Sequence, residues 1–181
     1  IERMRAMGAT VVLAGEDFDA AKAIGKAEAA RRGVRFIEDS RDPEPTEGAG
    51  TMALELSTFP DRLDALFVPL GNGAMLAGIA TVARAVMPQT RVVAVAASGA
   101  PAMVESMQSG MLVTHDRIAT IADGIGVRVP VPEALEDLAG LVDDYVLVPD
   151  SSILTAMTLL HQHAGIVAEP SGAVGLAGIM E

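Results

Sequence analysis

The residues best suited to chemistry run from Leu66 to Ala80, Leu-Phe-Val-Pro-Leu-Gly-Asn-Gly-Ala-Met-Leu-Ala-Gly-Ile-Ala. An apolar run leads into the turn Gly71-Asn72-Gly73-Ala74 and then directly into residues of helical composition. The first N–H groups of a helix have no partner inside it and point outward. Small side chains let a ligand come close to the backbone. The helix dipole adds an attraction for anions of about 0.3–1 kcal/mol per charge at exposed sites. Strand, glycine turn and helix start therefore form a cradle for a phosphate group, at the carboxyl end of a strand, where open α/β sheets bind ligands. The turn fits neither G-x-G-x-x-G nor the G-K-[ST] ending of a nucleotide-triphosphate loop. A tight strand-to-helix connection that binds nothing would use the same glycines.

Few other side chains offer chemistry. The two lysines, Lys22 and Lys26, are spaced i,i+4 on a helical segment, which suits a solvated face rather than the desolvated pocket that activates a lysine. His161 and His163 lie two apart and face different sides of a helix, so they do not share a metal. His115 sits in a loop. Asp123 reads either as a site carboxylate or as a loop aspartate binding nearby N–H groups. Glu169, before Pro170, reads either as a site carboxylate or as a helix start. There is no cysteine, which excludes disulfides, thiolate metal sites and cysteine nucleophiles.

These groups need elements to position them, and the chain alternates strand and helix patterns. Strands are expected at Thr10–Leu13, Val34–Ile37, Ala65–Leu70, Arg91–Ala96 and Tyr145–Val148. Helices are expected at Phe18–Arg32 after an Asp17 cap, Thr51–Phe59, Met75–Met87, Pro101–Gly110, Val131–Leu141, Ser151–His163 after an Asp150 cap, and from Val174. The polar stretch 38–48, with Pro43, Pro45 and Gly48, reads as a crossover between two lobes. Strands separated by such helices imply βαβ units. The expected fold is α/β, a parallel twisted sheet with helices on both faces: residues 1–48 form part of a small lobe and 49–181 a large one. Strands apolar on both faces fit a sheet covered on both sides.

Composition narrows the function classes. Half of the 181 residues are apolar, with four Phe, one Tyr and no Trp. A core built from small aliphatic residues is therefore expected. The net charge of −11, with no basic run, argues against nucleic acid as a partner. Residues 65–83 carry no charge, yet Pro69 and Gly71-Asn72-Gly73 break the stretch, so a buried strand, turn and helix explain it better than a membrane span. No signal peptide is visible. Ile1–Arg5 reads like mid-helix and Val174–Met180 like a helix cut short, as expected of an internal piece of a longer protein.

Several segments, in order, resemble the threonine dehydratase and serine racemase family of pyridoxal-phosphate (PLP) enzymes. Val68–Ala80 resembles the family's tetraglycine loop and following helix. Arg3–Ala9 resembles the helix before its small-domain strand, and Gly50–Leu56 its crossover helix. Thr120-Ile121-Ala122-Asp123-Gly124-Ile125 resembles its central T-I-A-D-G-I segment. Val142–Val146 and Ala168-Glu169-Pro170-Ser171-Gly172-Ala173 also fit, so the resemblance spans essentially the whole chain.

The resemblance implies that Gly71, Asn72, Gly73, Ala74 and Met75 hold the PLP phosphate, with Gly124 beside the ring and Glu169 near it. It places the Schiff-base lysine, and the residue that meets the pyridine nitrogen, outside this sequence; no catalytic residue is expected within it. The implied activity is deamination of a hydroxy amino acid such as threonine or serine to a 2-oxo acid and ammonia. Racemisation or β-replacement, or a non-catalytic PLP-fold module, are the alternatives. A cytoplasmic homo-oligomer is also implied. The sequence departs from the family pattern at Asn72 and Ala74, where glycines are usual; Asn72 is expected to keep the loop by tolerating a left-handed backbone. Ala49 replaces a glutamine. Ala96 and Ala102 stand where two carboxylates bind a divalent metal, so no metal is expected there.

Overall fold

The computed structural model describes residues 1–181, which fall into two compact units, 1–37 and 38–181. The first contains α1 (Glu2–Ala6) and α2 (Phe18–Arg32). α2 is closed at both ends by its sequence. The Asp17 carboxylate accepts from the N–H of Ala20 at 2.8 Å, and Gly33 takes the left-handed cap conformation. The strands expected at Thr10–Leu13 and Val34–Ile37 do not form. Strand structure requires a paired neighbour, and these short runs have none. Val12, Leu13 and Ile37 are largely exposed, so no burial holds them extended.

The second unit is built in the order α3 (Pro43–Leu56), β1 (Ala65–Pro69), α4 (Ala74–Val86), β2 (Arg91–Ala97), α5 (Ala102–Ser109), a 3-10 turn (Asp123–Ile125), α6 (Pro132–Leu138), β3 (Asp144–Val148), α7 (Asp150–Ala164) and α8 (Pro170–Met180). The three strands form a parallel sheet in the order β1-β2-β3, in register Leu66–Val92 and Val93–Asp144. The charge-free stretch 65–83 is thus a strand, a turn and part of a helix. No helix is long and apolar enough to cross a membrane.

Successive strand residues point to opposite faces, and each face has its own core. Leu66, Val68, Val92, Ala94 and Ala96 pack with α4, α5 and α6. Val95, Ala97 and Val148 pack with α7 and α8 through Ile153, Ala156, Ala173, Val174 and Ala177. Burial of both faces of β2 accounts for its unbroken apolar run. Arg84 of α4 ties one helix layer to the sheet. Its guanidinium pairs with Asp143 at 2.8 Å and donates to the carbonyl of Leu141, while Asp143 also accepts from the N–H of Val92.

α3 departs most from expectation in this unit, starting at Pro43 rather than Thr51. Pro43 and Pro45 act as breakers only in a helix interior; here they occupy the first turn, where no N–H donor is needed. Asp150 also differs from its expected role. Pro149 is the cap of α7, and Asp150 is the first helical residue.

Candidate functional site

β1 delivers the chain to the sheet's carboxyl edge, where the N–H of Leu70 still bonds to the carbonyl of Val95 at 2.8 Å. The chain then turns through Gly71-Asn72-Gly73 and enters α4. The helix's first bond runs from the N–H of Ala77 to the carbonyl of Gly73 at 2.8 Å. The N–H groups of Ala74, Met75 and Leu76 precede that bond, and no side chain caps them, so they are available to an outside acceptor.

The two glycines kept in this turn are the two that the geometry requires. Gly73 has φ +106°, a conformation that side chains rarely adopt. A β-carbon there would lie 2.9 Å from Leu138 Cδ1. A β-carbon on Gly71 would lie 3.2 Å from the Cα of Ile125. Ala74 begins the helix and needs no special conformation. Asn72 is not left-handed either, since Ser40 is the non-glycine residue with positive φ. The expectation that Asn72 preserves the loop through left-handed tolerance is therefore corrected. The strained position is Gly73, where glycine remains.

A cleft of about 770 Å³ opens over this turn. Gly71, Asn72, Gly73, Ala74, Met75, Gly124 and Glu169 all line it, so residues nearly a hundred positions apart come to one place. Gly124 and Ile125 line the cleft directly beside Gly71, at the end of a 120–125 segment that is held by Asp150. Asp150 accepts from Thr120 Oγ1 at 2.6 Å and from the N–H of Ile121 at 3.1 Å. Thr120 Oγ1 in turn accepts from the N–H of Ala122. Gly124 then packs against the start of α8: a β-carbon there would meet Ser171 Oγ at 2.8 Å and Glu169 Oε1 at 3.5 Å. Asp123 and Glu169 are exposed, and Glu169 is the residue at which α8 begins, without a side-chain cap bond.

Two polar atoms at this cleft lack partners. Asn72 Oδ1 and Ser171 Oγ are shut away from solvent with no hydrogen bond, although both residues line the cleft. Buried polar groups are nearly always paired; the Ser171 hydroxyl and the amide end of Asn72 are donors that suit an anion. With the free N–H groups of α4 and the close-approach glycines, these residues fit an anionic group such as a phosphate.

Some features were not visible in the sequence. Ser171 lies inside the segment Ala168–Ala173, but nothing marked its hydroxyl. Asp150 read as a cap, and its bonds to Thr120 and Ile121 join positions about thirty apart. Ala49 and Met52 of α3 line the cleft, and only Met52 falls in the helix expected from Thr51. His115 is paired with Glu105 at 2.6 Å, away from the cleft. The lysines lie on α2, in the other unit.

Comparison with known proteins gives the site a context. The family model described as "Pyridoxal-phosphate dependent enzyme" matches residues 1–181. The L-threonine ammonia-lyase of Geobacter sulfurreducens is 37% identical over 177 residues, covering 97% of this chain and 44% of that protein. The biosynthetic L-threonine dehydratase of Escherichia coli (strain K12) is 34% identical over 179 residues, covering 99% of this chain and 35% of that one. Among solved structures, processed threonine deaminase isoform 2 from Solanum lycopersicum superimposes with a TM-score of 0.90 at 31% identity, covering 98% of this chain and 49% of that one. Maize serine racemase gives 0.90 at 27% identity, covering 99% and 56%. The chain thus spans well under two thirds of each of these proteins.

Proposed function

The chain belongs to the pyridoxal-phosphate dependent enzyme family, and from that premise we propose that its protein is an ammonia-lyase converting a small hydroxy amino acid, threonine or serine, to a 2-oxo acid and ammonia. The observation that carries this reading is the turn Gly71–Gly73 at the N-terminus of α4, set in a chain 37% identical to a threonine ammonia-lyase. When bound, PLP supplies an electron sink for the α-carbon of an amino acid.

This chain's own residues would bind and orient. The N–H groups from Gly71 to Met75 take the phosphate, with the dipole of α4 behind them. Gly124, which packs so closely on the start of α8 that any side chain would collide with Ser171, would lie beside the ring. Glu169 stands at the edge of the same space. The apolar α3 wall, with Ala49 and Met52, keeps water away from the face it covers. The catalytic lysine of this reading lies outside residues 1–181, as does any group meeting the pyridine nitrogen. The working form would be a cytoplasmic homo-oligomer.

The test uses the full-length protein. Incubation with PLP should produce a visible-edge absorption band that borohydride abolishes, and L-threonine or L-serine should release a 2-oxo acid. A protein that stays colourless with PLP would sink the reading and leave a non-catalytic module. Racemisation is the second reading, favoured by the superposition on maize serine racemase. Accumulation of the D-amino acid without 2-oxo acid would select it.

A further inference from the structure

Asn72 has no conformational reason to be asparagine. Its φ is not positive, so a left-handed backbone does not call for it. It caps nothing: α4 has no side-chain cap bond. It is not a surface residue, being only 5% exposed. It also serves no hydrogen bond at Oδ1, which is sealed from solvent and unpartnered. A buried carboxamide left unsatisfied is destabilising, whereas glycine at this place would leave nothing unsatisfied. The residue nonetheless lines the cleft, between the two glycines that shape the turn and two residues ahead of the first N–H groups of a thirteen-residue helix.

We propose that the Asn72 carboxamide is a direct side-chain ligand of the cofactor phosphate, added to the backbone cradle; the assignment rests on the PLP reading above. Only the oxygen end of the carboxamide is sealed; the amide end is not, and it makes no hydrogen bond within the protein. A phosphate oxygen in the cradle therefore finds an N–H donor for which no protein acceptor competes. The donor is neutral, so it adds a hydrogen bond to an anion without changing the charge of the site. This also accounts for the altered glycine turn. Backbone donors are retained where glycine is needed, at Gly71 and Gly73, and one side-chain donor is gained between them.

The experiment is a titration of the full-length protein with PLP, and separately with pyridoxal, which lacks the phosphate, followed by cofactor fluorescence. Asn72→Gly should weaken PLP binding about tenfold, the loss expected for one hydrogen bond to a charged group. Asn72→Asp should weaken it further, because a carboxylate would face the phosphate. Neither variant should change the affinity for pyridoxal. Wild-type affinity for PLP in Asn72→Gly would overturn the proposal, and so would equal losses for PLP and pyridoxal, which would indicate a disturbed turn. A wild-type protein that binds no PLP would instead overturn the function on which the assignment rests.

Discussion

A β-carbon on Gly78 would stand 2.1 Å from the carbonyl oxygen of Thr46, so α4 and α3 touch backbone to backbone at that point. Gly50 makes the contact reciprocal, since a β-carbon there would lie 3.2 Å from the carbonyl of Gly78. This crossing seats α3 against the helix whose N-terminus forms the anion cradle, and so places Ala49 and Met52 on the cleft wall.

Gly78→Ala should therefore destabilise the protein by about 1–3 kcal/mol, the usual cost of overpacking, although alanine is the better helix former. Gly48, on the same helix α3, is open: a β-carbon there would meet nothing within 4 Å. Gly48→Ala should stabilise by about 0.5–1 kcal/mol. Denaturant midpoints of the two variants measure the contrast, and equal shifts would refute the close-crossing argument.

The turn yields a second contrast. Gly73→Ala combines a positive φ with a collision at Leu138, and should cost about 1–3 kcal/mol together with a loss of PLP affinity. Ala74→Gly, one residue on, should cost at most about 1 kcal/mol and leave PLP affinity near wild type. Calorimetry and cofactor titration together check both.

Asp143 sets a pH dependence. Burial pushes its carboxyl up, but the hydrogen bond from the N–H of Val92 and the Arg84 guanidinium outweigh this and hold it below the ordinary carboxylate value. A depressed folded-state pKa gives stability that is present above the unfolded value, about 3.9, and is lost as pH falls through the folded one. Asp143→Asn should cost about 1–2 kcal/mol at pH 7, a modest figure because the pair is partly exposed. The difference from wild type should shrink as the pH falls below about 4. A difference that is constant with pH would contradict this account.

Asp150 holds the segment beside Gly71 through Thr120 and Ile121. Asp150→Ala should cost about 1–2 kcal/mol in stability. It should also raise hydrogen exchange at the amides of residues 121–125 and weaken PLP binding several-fold. Unchanged exchange in that segment would remove Asp150 from the positioning role.

Ser171 offers a prediction of the opposite sign. Its hydroxyl is buried without a partner, so Ser171→Ala should leave the ligand-free protein as stable as before or slightly more so. A loss above about 1 kcal/mol would show that the hydroxyl is satisfied after all.

Much of this was legible in one dimension. Ala65–Leu70 announced a buried strand, Gly71-Asn72-Gly73 a turn and Met75–Met87 a helix, because these are local patterns of period and turn chemistry. Gly110 closed its helix for the same reason. The runs at Thr10–Leu13 and Val34–Ile37 misled because an apolar run becomes a strand only when another strand pairs with it. Pro43 and Pro45 misled because a proline's effect depends on whether it lies in the first turn or the interior.

The sequence by itself determined the α/β alternation, the glycine turn at a strand's carboxyl end and the ordered motifs by which the family is identified. Each is written in neighbouring residues. Only the tertiary structure decided that Gly73, not Asn72, carries the left-handed backbone and that Asp150 reaches back to Thr120. It alone brought Gly124 and Ser171 together beside Gly71. Those relations join residues tens of positions apart, and packing rather than local preference fixes which atoms meet.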